Sequence, residues 1–136
     1  PMVADDGNRV DIESFVTGLR ETLDELGGRT FYVSSADLSH VGPQFGEPSA
    51  VDDQRRIDVE RHDRDMMGRF IEGPNEFLEA MRWCKNPTRW CSIGNMYAAL
   101  RLSGASAVEL IDYRQACDDR GMCLVSSAAM ALMPTD

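Results

Sequence analysis

The chain is poor in the residues from which a ready-made catalytic centre is built. His40 and His62 are its two histidines, and a catalytic metal generally takes at least three protein ligands. Its four cysteines, Cys84, Cys91, Cys117 and Cys123, form no Cys-x-x-Cys pair, which leaves a zinc ribbon or a thioredoxin-type motif unsupported. No Gly-x-Ser-x-Gly elbow surrounds Ser34, Ser35, Ser126 or Ser127, so a serine hydrolase of that kind is excluded. Gly27, Gly28, Gly42 and Gly46 match neither the P-loop nor the dinucleotide fingerprint. No apolar run approaches the ~20 residues a membrane span requires. Clustered positive charge is also missing. The net charge of -9 and a pI near 4.6 argue against nucleic acid as a partner, and a membrane is not expected either.

What is there reads as an ordinary globular domain. The 136 residues, 43% apolar and 27% charged, are enough for one domain that buries roughly two-thirds of its unfolded surface. Cysteine usage fits reduced thiols and a cytoplasmic location. Pro1 stands where an initiating methionine would, which points to processing or a chosen boundary.

The periodicities define the elements. Ile12, Phe15, Val16, Leu19, Leu23 and Leu26 recur at helical spacing, with Asp11 as cap and Gly27-Gly28 as stop. Thr30-Phe31-Tyr32-Val33 is β-rich and apolar without alternation, which predicts an interior strand of a parallel or mixed sheet. A glycine- and proline-containing loop follows from Gly42 to Ser49. From Asp52 to about Ile71 the acids Asp52, Asp53, Asp58, Glu60, Asp63 and Asp65 interleave with Arg55, Arg56, Arg61 and Arg64. That pattern predicts a self-compensating, solvated helix face, with His62 on it. Pro74 opens another helix ending near Cys84, and a further one runs from about Ser92 to Gly104. Val108–Tyr113 and Met122–Ser126, joined by Asp118-Asp119-Arg120-Gly121, predict an antiparallel hairpin.

Two positions stand out for chemistry. His40 ends a strand-like run three residues after Asp37, an acid able to orient its imidazole; strand ends are where a rigid scaffold presents side chains to ligands. Cys91 follows Arg89 and precedes a helix, and both the guanidinium and the helix dipole favour a thiolate. Cys84, Cys117 and Cys123 lie in apolar patterns and are expected to pack, as are Met66, Met67, Met130 and Met133. Trp83 and Trp90 flank the segment and are expected in the core or an interface.

Ser34-Ser35-Ala36-Asp37-Leu38-Ser39-His40, Arg89-Trp90-Cys91, Tyr113-Arg114-Gln115-Ala116 and Leu124-Val125-Ser126-Ser127-Ala128-Ala129 together resemble the C-terminal half of the Memo family. The bacterial members of that family are called AmmeMemoRadiSam system protein B. The resemblance runs in the same order over nearly the whole chain. It implies an α/β fold with helices packed on a central mixed sheet, like the C-terminal half of a class III extradiol dioxygenase. Residues 1–136 would be a single unit, half of a larger Memo-like domain.

The same resemblance implies a non-haem metal ion (iron, copper or zinc) held by two histidines of the N-terminal half and one residue of the C-terminal half. Cys91 matches that third ligand and His40 matches the acid-base histidine, with Asp37 placed to orient it. A thiolate in place of the dioxygenase carboxylate favours softer metals such as copper or zinc. Val41, Ser92 and Ser127 depart from the residues usual at their positions, which implies a different pocket shape. The implied partners are the missing N-terminal half or a separate complementary chain, a second copy of this chain, and a small-molecule or peptide ligand. Completed, the protein would be a non-haem metal oxidoreductase; alone, the chain is expected to be inactive. The alternative is a non-catalytic module that binds a peptide or small ligand in the same cleft.

Overall fold

The computed structural model describes the backbone of residues 2–3 and 9–134 and the side chains of residues 11–133; Pro1 lies outside them. A two-stranded antiparallel ribbon, β1 (Met2–Val3) and β2 (Arg9–Val10), precedes α1 (Ile12–Leu26). Asp11 caps α1 as expected: its carboxylate accepts from the backbone N–H groups of Glu13 and Ser14, donors the helix itself leaves unpaired. Only Val16 of α1 is buried, however, and Phe15 and Leu26 stay exposed.

The segment after Gly28 departs from the sequence expectation. Thr30 to Val33 belongs to no strand, and Phe31 and Val33 are 89% and 74% exposed. β propensity measures how well a side chain suits a pleated, half-buried surface; without a neighbouring strand among the described residues it produces no ladder. Pairing begins further on, at β3 (His40–Val41). A short 3-10 turn, Pro43–Phe45, then leads towards α2 (Asp53–Glu72), which Asp52 caps through the Arg55 N–H.

α2 is solvated on one face only. Arg61–Asp58, Arg64–Glu60 and Arg69–Glu72 pair along its outer side at 3.3, 2.8 and 3.0 Å. Val59, Asp63, Met66, Met67 and Phe70 form a buried stripe on the other. His62 is half-buried rather than on the open surface, and burial holds its pKa below the ordinary value against the opposing pull of Asp63 and Asp65. α3 (Pro74–Cys84) starts at its proline and buries Phe77 and Met81. α4 (Ile93–Ser103) buries Met96, Tyr97, Ala99 and Leu100 and ends at left-handed Gly104. α1 is tied to α4 by Glu13, which accepts hydrogen bonds from Tyr97 and Arg101.

The expected hairpin is present and longer than its apolar cores. β4 (Ala105–Cys117) pairs antiparallel with β5 (Leu124–Pro134), and β3 joins the other edge of β5 with His40 opposite Val125. The strand order is β3-β5-β4. The molecule is thus helices on a small sheet, as the α/β reading requires, but this sheet is antiparallel throughout rather than mixed.

The main core gathers Leu38, Met66, Met67, Phe70, Phe77, Met81, Trp90, Met96 and Leu100 between the helices and the sheet. Phe77 sits edge-on to Phe70 and tilted against Trp90. The two tryptophans part company: Trp90 is buried and Trp83 is 89% exposed. Met133 is likewise more exposed than core filling requires. All four cysteines are free, and among the described residues no helix is long and apolar enough to cross a membrane.

Candidate functional site

The segment that carries Cys91 is bent by backbone conformations that side chains rarely adopt. Lys85, Asn86 and Arg89 have φ of 59°, 49° and 60°, all left-handed and none of them glycine. Asn86 stabilises the bend by bracketing Trp90: its Oδ1 accepts from the Trp90 N–H at 2.7 Å and its Nδ2 donates to the Trp90 carbonyl at 2.9 Å. The strained residues therefore sit between a helix stop and the anchored Trp90, immediately ahead of Cys91.

His40 faces this bend. Its backbone N–H donates to Thr88 O at 2.7 Å, and its Nδ1 lies 3.1 Å from Leu38 O and 3.2 Å from Arg89 O. Both neighbours of Nδ1 are carbonyls, which only accept, so Nδ1 carries the proton and Nε2 of the neutral ring keeps its lone pair. Nε2 lies 3.8 Å from Asp37 Oδ2, close enough for charge attraction once the ring is protonated but too long for a direct hydrogen bond. The orienting groups are thus chiefly the two carbonyls rather than Asp37, and the Phe45 ring stands edge-on at 5.2 Å.

Cys91 is exposed, and its thiol donates to the Asp37 carbonyl at 3.6 Å. The structure therefore brings Asp37, His40 and Cys91 into one neighbourhood. Arg89 does not serve the thiol as expected. Its guanidinium turns to Glu47 Oε1 and to the His40 carbonyl, at 3.4 Å each. Glu47 also takes Arg55 at 2.5 Å; burial opposes its ionisation, but the Arg55 ion pair and the Gly42 N–H outweigh that and keep its pKa low. The expected helix start is present, although Ser92 makes no side-chain capping bond.

Two cavities flank the region. One, of about 410 Å³, is lined by Cys91 with Ile12, Leu78, Met81, Arg82 and Ile93. The other, about 480 Å³ and mostly apolar, lies between the Thr30–Ala36 segment, α4 and β5. Neither lining includes His40 or Asp37. Among the described residues no group of three histidine, cysteine, aspartate or glutamate side chains is arranged to hold a metal ion.

Beneath the site lies a residue that sequence reasoning missed. Asp63, assigned to the solvated face of α2, is fully buried. Ser39 Oγ and Trp90 Nε1 donate to its Oδ1 at 2.5 and 2.8 Å, and Ser126 Oγ and Tyr113 OH to its Oδ2 at 2.5 and 2.8 Å. Four donors fill a carboxylate that can only accept, which is how a buried charge is tolerated. Burial and the nearby Asp63 charge push the Tyr113 phenol well above its ordinary pKa, so it stays protonated and donates. A signal was available: Asp63 stands four residues after Val59 and three before Met66, in register with the apolar stripe of α2.

No family model matches the chain, and no curated protein matches it.

Proposed function

We propose that the chain is the C-terminal half of a Memo-like α/β protein that works, when completed, as a non-haem metal-dependent oxidoreductase. Cys91 supplies one metal ligand, His40 moves protons through Nε2, and Asp37 stabilises the imidazolium. The remaining ligands come from an N-terminal half or a separate chain, because Cys91 and His40 alone are too few. The metal, once held, supplies Lewis-acid and redox chemistry.

The observation that carries the reading is the interlock of two distant segments. His40 donates from its ring to the Arg89 carbonyl, and Cys91 returns a bond to the Asp37 carbonyl. A free, exposed thiol beside an imidazole with a fixed tautomer suits ligation and proton transfer. The unpaired, apolar Thr30–Val33 run further supports a sheet that another polypeptide segment extends.

One observation favours a second reading, a non-catalytic module that binds a peptide or small ligand: the apolar cavity of about 480 Å³ offers a ligand-sized space without any catalytic side chain. Metal content separates the two. The purified natural gene product should carry stoichiometric copper, iron or zinc that Cys91→Ser loses. Metal absent from the unaltered protein would end the oxidoreductase reading in favour of the binding module.

A further inference from the structure

Asp63 does more than satisfy four donors, because its two oxygens serve different parts of the molecule. Oδ1 accepts from Ser39 Oγ and Trp90 Nε1, and Ser39 Oγ itself accepts from Trp90 Nε1 at 3.0 Å. Ser39 directly precedes His40, and Trp90 directly precedes Cys91. Oδ2 accepts from Tyr113 on β4 and Ser126 on β5. One oxygen thus ties together the two segments that bear the candidate site, and the other ties both to the hairpin.

The geometry points to Asp63 as the positioning residue of the His40–Cys91 site: from beneath, its Oδ1 sets how the segment bearing the imidazole lies against the segment bearing the thiol. The inference depends on the functional reading above for what the site does, but not for the coupling itself. Its physical basis is that charge-assisted hydrogen bonds are short and directional, so a buried carboxylate shared by two donors resists displacement of either. The strained Lys85–Arg89 bend has no glycine to relieve it, and an anchor at Trp90 is what keeps it in place. Ser126, on the Oδ2 side, also meets the segment bearing the imidazole, since its Oγ accepts from the Ser39 N–H at 2.9 Å, whereas Tyr113 donates to Asp63 from β4 without touching either segment.

The conservative variant makes a specific demand. In Asp63→Asn the amide oxygen must face Trp90, since an indole N–H can only donate. The NH2 then meets Ser126 and Tyr113, whose hydroxyls can accept. Asp63→Asn should therefore spare the site, whereas Asp63→Ala releases both segments.

The test reads each segment after disturbing the other, in the full chain. Two signals are followed: the 15N shifts of the His40 ring nitrogens, which report the Nδ1–H tautomer, and the iodoacetamide alkylation rate of Cys91, followed by peptide mass. Ser39→Ala should raise the Cys91 rate about tenfold, the loss expected when a charge-assisted bond is removed. Trp90→Phe should move the His40 shifts towards a tautomer mixture. Tyr113→Phe removes a donor from the same carboxylate on its sheet side, so it controls for stability and should leave both signals unchanged. Asp63→Asn should restore what Asp63→Ala disturbs, and the Ser39 and Tyr113 variants decide the matter if Asp63→Ala does not fold. Either Tyr113→Phe moving both signals as far as Ser39→Ala, or Ser39→Ala leaving Cys91 untouched, overturns the proposal. Metal uptake is read separately, so its absence would end the oxidoreductase reading and leave the coupling standing.

Discussion

The stretch from Thr30 to Val41 has two ends with opposite fates, and the end richer in β-favouring residues, Thr30–Val33, is the one that forms no strand. At its far end Leu38, Ser39 and Val41 are buried, with Leu38 N–H on the Ser126 carbonyl, His40 N–H on Thr88 and Ser126 N–H on the Ser39 carbonyl. At its near end Phe31 and Val33 stand in solvent, and the mostly apolar cavity opens between them, α4 and β5. The difference lies in the partners rather than in the residues. A strand is stable where its backbone groups find acceptors and its side chains find a core; only the Leu38–Val41 end has β5, the Trp90 bend and Asp63 to supply them.

The largest effect should follow from cutting into the buried end. Leu38→Ala, at a position 2% exposed, should cost about 2–5 kcal/mol in a urea melt. A loss no larger than that of a surface substitution would mean that the two ends differ less than their burial indicates. Gly42 tests the same end by its backbone. With φ at 108° and a Cβ position 2.7 Å from the Met122 carbonyl oxygen, Gly42→Ala should cost about 1–3 kcal/mol. An unchanged melting curve would show that the chain leaving β3 can relax there. The smallest effect belongs to the open end. Phe31→Ser should change stability by less than about 0.5 kcal/mol, since the ring is 89% exposed. A clear loss, or a shift in sedimentation from a larger to a smaller species, would reveal that another copy covers this end in solution.

Much of the helical structure was legible in the sequence because its signals are local. Asp11 caps α1, Pro74 opens α3 and Gly104 closes α4, each where expected. The hairpin was equally visible from its two β-rich runs and its polar turn. Thr30–Val33 was misread because apolar β-rich composition says what a segment would suit, not whether a neighbour exists. Asp63 and His62 were misread because charge was averaged over a helix whose two faces differ. Arg89 was assigned to Cys91 by sequence proximity, while in space Glu47 claims its guanidinium.

By itself, the amino-acid sequence determined where helices begin and end and which stretches pair as a hairpin, and it singled out an imidazole and a thiol as candidates. Capping, periodicity and turn chemistry act over a few neighbouring residues, so they can be read along the chain. Only the tertiary structure decided that a carboxylate from a charged helix lies beneath both of those groups, that two carbonyls fix the His40 tautomer, and that the β-rich Thr30–Val33 run forms no strand. Those outcomes depend on contacts between residues far apart in sequence, where burial and hydrogen-bond partners are set by the packing of whole elements.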